Sequence, residues 1–289
     1  MNAVYRKELR SSLLGMTGPI FIFAVLAILG FFIANYQFSD GNPHFEFPIV
    51  EGSFWSLLLA PVLTMRSFSE ERKTKTDQLL YALPISTTAV VMGKYLAMVT
   101  VFAIPCAVIC AYPIIVSFFA PTGINLFLAY GSIFAYFLLG CAVIAIGMLI
   151  SSLFESQVIC AIVNLVVILG CYFITANTGA VSDSATTSLV LLIGISLIIA
   201  VFVYFTTGNL IAAGVSGLVL IGAAAAVYFI NSELYTGLSA KILSALFIFR
   251  PISAFAYETF DITCFVYYLS IAALFVFFTV QSFEKRRWN

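Results

Sequence analysis

The sequence predicts an all-α protein that crosses a membrane several times. Apolar residues make up 62% of its 289 residues, charged residues make up only 9%, and the mean hydropathy is +1.10. A soluble domain carries about 25% charged residues to cover its surface, so lipid must be the solvent for most of this chain. The apolar runs are continuous, whereas strands of a membrane β-barrel would alternate polar and apolar residues over about ten positions. The composition therefore favours a bundle of transmembrane helices.

Eight apolar runs are candidates for the spans of this bundle. They are Pro19–Tyr36, Ile49–Met65, Tyr95–Phe119, Asn125–Ile150, Gln157–Ala176, Ser188–Phe205, Leu210–Ile230 and Cys264–Gln281. The second run is the shortest, because Glu51 leaves only about 14 clean residues, or ~21 Å of helix against a hydrocarbon core of ~30 Å. It is either a full crossing or a re-entrant segment. Pro105 and Pro113 are expected to bend the third span.

The basic residues predict the orientation of these spans. With eight crossings, all Lys and Arg residues except Lys241 and Arg250 fall on one side of the membrane. Basic residues concentrate in cytoplasmic loops, so both chain termini are predicted to be cytoplasmic. A re-entrant second span would move the basic residues around Arg72 and at the C-terminus to the outside. The charge distribution therefore favours a true second crossing.

The N-terminus and the segment 231–263 give weaker predictions than the spans do. The first apolar run is long enough to span and no small-residue cleavage site follows it, so it is expected to stay rather than to be removed as a signal peptide. Residues 231–263 have apolar side chains at helical spacing together with several charges. This pattern predicts an amphipathic helix in the outer interface, and a re-entrant helical pair remains the alternative.

The segment 67–94 is almost the only long polar stretch of the chain. Ser67 and Glu70 have the spacing of a capping box, with Ser67 as N-cap and Glu70 reaching back to it. A leucine stripe at helical spacing follows, and Pro84 is expected to end the helix. The pattern predicts a cytoplasmic helix that is polar first and apolar later. A solvated charged loop with an interface-anchored end is the alternative.

Residues Arg66–Ser86, which read RSFSEERKTKTDQLLYALPIS, resemble the sequence that follows the second span in type-2 ABC transporter permeases. Gly93-Lys94-Tyr95 is similar to the Gly-Lys-aromatic triplet that often opens the third span of that family. The stretch from Phe247 to Trp288 resembles its last segment, and the nearest branch includes the gliding-motility permease. Two departures stand out: Lys75 occupies a position where the family often has Gly, and Asp77-Gln78 replaces its common Leu-Glu.

This resemblance implies a single permease domain over residues 1–289, with segment 67–94 as the coupling helix for a separate ABC ATPase. Apolar residues would then anchor the helix in a groove of the ATPase, polar residues would form the rim, and the turn at Glu155 would make a second contact. The implied anchors are Phe68, Leu79, Leu80 and Leu83, and the implied rim is Glu70, Glu71, Arg72 and Asp77. Two ATPase copies would bind ATP and Mg, and a second permease chain, identical or homologous, would complete an export pathway in the cytoplasmic membrane.

Other functions find less support in the sequence. No GxxxxGK[ST] motif occurs, so ATP hydrolysis must come from a partner. An ion-coupled secondary transporter usually needs ionisable residues within its spans, and the eight runs have essentially none between their ends. Asn164, the most conspicuous polar residue at mid-span, is predicted to make a helix–helix hydrogen bond. The six cysteines form no CxxC pair, and neither a metal site nor a catalytic residue is expected. A membrane scaffold or assembly protein remains an alternative.

Overall fold

The structure is a computed structural model that describes residues 1–39, 44–76, 86–119, 124–176, 185–207, 210–230, 248–256 and 260–288. Within these ranges every regular element is helical, which confirms the predicted all-α class. The α-helices are α1 Asn2–Leu14, α2 Thr17–Ile33, α3 Glu46–Leu57, α4 Ala60–Thr64, α5 Ser69–Lys73, α6 Thr87–Ile109, α7 Tyr112–Phe119, α8 Leu126–Leu153, α9 Gln157–Ala176, α10 Ala185–Thr207, α11 Leu210–Ile230, α12 Arg250–Ala256 and α13 Ile262–Trp288. Helix α2 continues as a π-helix over Ala34–Ser39.

Helices long and apolar enough to cross a membrane confirm the polytopic membrane fold. In the described part of the chain these are Thr17–Gln37, Thr87–Phe118, Leu126–Leu153 and Ile262–Lys285. They correspond to the first, third, fourth and eighth predicted spans. The predicted spans five to seven correspond to α9, α10 and α11, which have 20, 23 and 21 residues. The total of eight crossings stays a prediction.

Two predicted spans are broken at prolines. The segment Ile49–Met65 is divided between α3, which ends at Leu57, and α4, which contains Pro61. The third span is likewise divided between α6, which ends at Ile109, and α7, which contains Pro113. In both cases the helix ends four residues before the proline, because a proline ring clashes with the carbonyl of residue i−4. Pro105, by contrast, lies inside α6 without ending it.

Helix α6 begins eight residues before the predicted start of the third span. The Ser86 side chain accepts a hydrogen bond from the Ala89 amide at 3.3 Å and so caps the new start. As a result Lys94 lies two turns inside a helix rather than immediately before one. Residues 87–94, the end of the polar segment 67–94, are therefore part of α6.

Helix α8 is the core helix of its part of the fold. Its apolar window is 89% buried, against 28% for those of α2 and α13, as expected for a helix that is apolar on all sides. It packs against α3, α4, α6, α7, α12 and α13. Small residues permit these close contacts: a Cβ at Gly140 would overlap the ring of Phe102.

A buried polar contact joins α4, α8 and α9. The Asn164 side-chain amide donates a hydrogen bond to Thr64 Oγ1 at 3.0 Å, and both residues are buried. This confirms the helix–helix hydrogen bond predicted for Asn164. Gly147 of α8 makes room for the pair, because a Cβ there would meet both Thr64 Oγ1 and Asn164 Nδ2.

By contact the chain falls into two compact units, 1–170 with 249–289, and 171–248. Within the second unit α10 packs on α11, and a Cβ at Gly217 would lie 3.0 Å from the Cβ of Ala200. The prediction of a single permease domain stays a prediction.

The predicted outer segment 231–263 lies partly outside the described residues, which contain none of 231–247 and 257–259. Its described part includes α12 and the start of α13. There Asp261 Oδ1 accepts a hydrogen bond from the Thr263 amide at 2.8 Å. Hydrogen bonds from the Thr263 side chain and amide hold the pKa of the Asp261 carboxyl below its ordinary value. The choice between an amphipathic helix and a re-entrant pair stays open.

We expect Gly147→Ala to lower the free energy of unfolding by about 1–3 kcal/mol, because the added methyl group overpacks the Thr64–Asn164 contact. Gly170→Ala is the matched control, since a Cβ at Gly170 has no neighbour within 4 Å. The control should be neutral or stabilising by up to about 1 kcal/mol. Unfolding by SDS titration, followed by circular dichroism, measures both variants. Equal stability of the two variants would contradict the proposed packing.

Candidate functional site

The polar segment after α4 contains a short helix whose first amides are capped from another helix. Helix α5 begins at Ser69 with Phe68 at the cap position and no side-chain cap of its own. The hydroxyl of Ser151 in α8 instead accepts hydrogen bonds from the amides of Phe68 and Ser69, at 3.1 and 3.3 Å. The predicted capping box is therefore wrong: Ser67 is not the cap, and the Glu70 carboxylate bonds to Arg66 Nε at 3.0 Å.

The C-terminal end of α5 is closed by a Schellman motif. The amide of Thr76 donates to the carbonyl of Glu71 at 2.9 Å, and the amide of Lys75 donates to that of Arg72 at 3.0 Å. Lys75 has φ of 55°, the left-handed conformation that this motif requires. Such a position strongly favours glycine. Lys75 therefore adopts a backbone conformation that costs a side chain about 1–2 kcal/mol.

A buried ammonium group holds this segment against two other helices. Lys94 is 1% exposed, and its Nζ lies 2.9 Å from Glu71 Oε1, 3.3 Å from Glu8 Oε1 and 2.6 Å from the Ser67 carbonyl oxygen. These three acceptors match the three donors of an ammonium group. Lys94 belongs to α6, Glu8 to α1, and Glu71 and Ser67 to the polar segment. One side chain therefore ties three elements together.

The surroundings of Lys94 extend this charge cluster. Lys7 Nζ lies 3.5 Å from Glu71 Oε1 and 3.8 Å from Glu8 Oε1, so the two lysines and two glutamates form one neutral network. The Phe68 ring lies 5.0 Å from Lys94 Nζ, within the range of a cation–π contact. We call Lys7, Glu8, Glu71 and Lys94 the Lys94 cluster.

Two further contacts attach the segment to the helix bundle. The Phe68 ring packs 5.5 Å from that of Phe283 in α13. At the start of α6, Thr87 Oγ1 donates a hydrogen bond to Glu284 Oε1 at 2.6 Å. The two ends of the polar segment are thus attached to the same end of α13.

The family comparison agrees with this architecture. A family model described as "ABC-2 family transporter protein" matches residues 14–216, which is more than half of the chain. The chain belongs to this family. It is a permease of the type-2 ABC transporters, as the sequence motifs indicated. No curated protein and no solved structure matches the chain significantly.

The residues predicted to bind an ATPase have different positions in the permease. Glu70 is half exposed, and Glu155 is exposed in the turn after α8. Glu71, by contrast, is only 12% exposed and belongs to the Lys94 cluster. Phe68 and Arg72 are buried, so neither side chain is offered to a partner in this structure. Asp77, Leu79, Leu80 and Leu83 lie outside the described residues.

Reasoning from the sequence missed the partners of the polar segment. Lys94 is the only charged residue of α6, and a lone charge in an apolar helix is a signal for a pairing partner; Glu8 lies among three basic residues of α1 and gave no such signal. Nothing in the sequence indicated Ser151, because a serine in an apolar helix usually bonds to its own backbone. Among the described residues no group of three His, Cys, Asp or Glu side chains is placed to hold a metal ion.

We expect Lys94→Met to lower the free energy of unfolding by about 3 kcal/mol, because two partly buried carboxylates lose their ammonium partner. Lys73→Met, at an exposed residue of α5, is the matched control and should cost less than about 0.5 kcal/mol. In the double variant Lys94→Met/Glu71→Gln part of the loss should be recovered. SDS titration measures all three variants. A Lys94→Met variant as stable as the control would refute the role of the cluster.

Lys75→Gly should stabilise the end of α5 by about 1 kcal/mol, because glycine adopts positive φ without strain. Hydrogen exchange of the Lys75 and Thr76 amides should slow about fivefold. Lys73→Gly replaces a residue inside the same helix and is the control, which should accelerate exchange. Faster exchange in Lys75→Gly would contradict the Schellman motif.

Proposed function

We propose that this permease is the transmembrane subunit of an ABC exporter that is driven by a separate ATPase bound at the polar segment after α4. Two permease chains would form the pathway, with two ATPase copies on the cytoplasmic side. The family match and the distribution of basic residues support this assignment. Export is favoured because the predicted outer loops are too small to receive a substrate-binding protein. The chain termini would lie on the cytoplasmic side.

One structural observation carries the coupling step of this proposal: the polar segment is attached to several helices at once. The Lys94 cluster ties it to α1 and α6, and the Ser151 hydroxyl ties its first amides to α8. A push on α5 therefore acts on all three helices together, since moving the segment alone would unpair a buried ammonium group. ATP-driven closure of the ATPases would supply that push and tilt the helices between two states.

The contacts with the ATPase are proposed from the exposure of each side chain and, for residues that the structure does not describe, from the sequence. Glu70 and Glu155 would face the partner as polar contacts. Leu79, Leu80 and Leu83, with Asp77 beside them, are proposed as the apolar anchors and their rim on the strength of the sequence alone. Phe68, Glu71 and Arg72 would act from inside, by fixing the shape of the segment. ATP and Mg would bind to the partner and not to this chain.

Co-purification from native membranes in a mild detergent tests the proposal. The tagged permease should bring down a protein with an ABC ATPase motif, at a ratio of one copy per permease chain. Leu80→Glu should reduce the captured ATPase at least fivefold, because a charge enters an apolar groove, whereas the conservative variant Leu80→Ile should not. Capture of no ATPase by the wild-type chain would overturn the assignment. Transport in liposomes driven by a proton gradient without ATP would favour the secondary transporter instead.

A further inference from the structure

A polar cavity lies at the turn between α1 and α2 and is not explained by the coupling role. Its volume is about 230 Å³. Four of its lining residues are charged and four others carry hydroxyl groups. The charged residues are Glu8, Arg66, Glu70 and Lys94, and the hydroxyl residues are Ser11, Ser12, Thr17 and Ser67. The charges sum to zero, so the cavity suits a ligand that carries both signs rather than a simple anion or cation.

One buried polar atom of the cavity wall has no partner among the described residues. Ser67 is 91% buried, given its 9% exposure, and its Oγ has no hydrogen-bond partner. This Oγ has almost no accessible surface, so a ligand reaches it only when the side chain turns toward the cavity. An unsatisfied buried hydroxyl is costly, and a turn toward a bound polar group would relieve that cost. The Lys94 ammonium group cannot donate a hydrogen bond to this Oγ, because its three donors already bond to Glu71, Glu8 and the Ser67 carbonyl.

The ion pair between Arg66 and Glu70 can be broken to bind a ligand at little cost in free energy. Arg66 Nε and Glu70 Oε2 lie 3.0 Å apart, and their side chains are 45% and 47% exposed. Exposed ion pairs of this kind contribute little to stability. A guanidinium group is well shaped to bind phosphate through two parallel hydrogen bonds, and a carboxylate accepts from an ammonium group. The pair therefore offers one site for each half of a phosphate–ammonium zwitterion.

The cavity lies beside a turn whose apolar residues face out of the protein. Gly15 and Thr17 line the cavity. Their neighbours Leu14 and Met16 are 76% and 82% exposed, and Ile20 follows at 57%. In a membrane protein such a patch at the end of a polar amphipathic helix places the turn in the lipid interface. Inside the cavity Leu63 and Met98 supply apolar surface for the first carbons of a chain.

The geometry points to a binding site for the headgroup of a zwitterionic phospholipid such as phosphatidylethanolamine. The phosphate would bind to Arg66, the ammonium group to Glu70 and Glu8, and the Ser67 hydroxyl, once its side chain turns toward the cavity, would donate to a phosphate oxygen. The acyl chains would leave past Met16. A lipid in this position would brace α1 against the polar segment. Glu70 is also proposed as a contact with the ATPase, but lipid binding is measured on the purified permease without that partner, so each proposal can fail without the other.

Native mass spectrometry of the purified full-length permease tests this site. The delipidated protein is incubated with equal amounts of phosphatidylethanolamine and phosphatidylglycerol that have the same acyl chains. The wild type should retain the ethanolamine lipid at least fivefold over the glycerol lipid. The double variant Arg66→Gln/Glu70→Gln keeps the net charge and should reduce this preference to within twofold of parity. Lys73→Gln/Glu155→Gln also keeps the net charge at two exposed residues away from the cavity, and should retain the wild-type preference.

Two further measurements make the result decisive. Ser12→Phe fills the cavity without changing a charge and should also remove the preference. In wild-type protein in nanodiscs, hydrogen exchange of the amides of residues 15–18 should be at least threefold slower with phosphatidylethanolamine than with phosphatidylglycerol. This measurement needs no variant to fold.

Three results would overturn the proposal. The first is a wild-type protein with no preference between the two lipids. The second is a preference that survives in both cavity variants. The third is equal binding of soluble phosphoethanolamine and of the lipid at the same concentration, which would show that the acyl chains contribute nothing and that the site binds a free zwitterion rather than a lipid.

Discussion

The buried ammonium group of Lys94 determines how the polar segment lies on the membrane helices. A charge taken out of water is tolerated only when it is paired and hydrogen-bonded, and Lys94 meets this condition with Glu71, Glu8 and the Ser67 carbonyl. Helix α5 has only five residues, far below the length at which an isolated helix is stable in water. Its geometry therefore depends on contacts made by other helices, and Lys94 supplies two of them, to Glu71 and to the Ser67 carbonyl.

Helix α8 makes the remaining contacts through residues on one side of the helix. Gly140, Gly147 and Ser151 have i, i+7 and i+11 spacing, which places them on the same side of a helix. The Phe102 ring lies against the first, the Thr64–Asn164 pair lies against the second, and the amides of Phe68 and Ser69 bond to the third. Each position needs a small residue because a partner approaches the helix backbone there. In lipid, where helices gain little from apolar burial, such close and polar contacts decide how they associate.

Much of the fold follows from patterns that are local in the sequence. The apolar runs predicted the helices of the bundle. Bends were predicted at Pro105 and Pro113; a break comes four residues before Pro113, none occurs at Pro105, and the break before Pro61 was not predicted. Helix α6 begins before the predicted start of the third span at Tyr95, because the predicted apolar run begins only after Lys94. The Ser86 cap and the partners of Lys94 allow the helix to extend over residues 87–94.

The sequence by itself determined the membrane class, the existence of a polar segment between apolar spans and its resemblance to a permease family. These properties are set by composition and short motifs, which do not depend on distant contacts. Only the tertiary structure decided that Ser151 rather than Ser67 caps α5, that Phe68 and Arg72 are buried, and that Glu8, Glu71 and Lys94 meet. Those contacts join residues far apart in the chain, and their pairing depends on helix packing that no local pattern encodes. The polar segment is thus held in place by residues of four helices, α1, α6, α8 and α13, although its sequence indicates only a short charged helix.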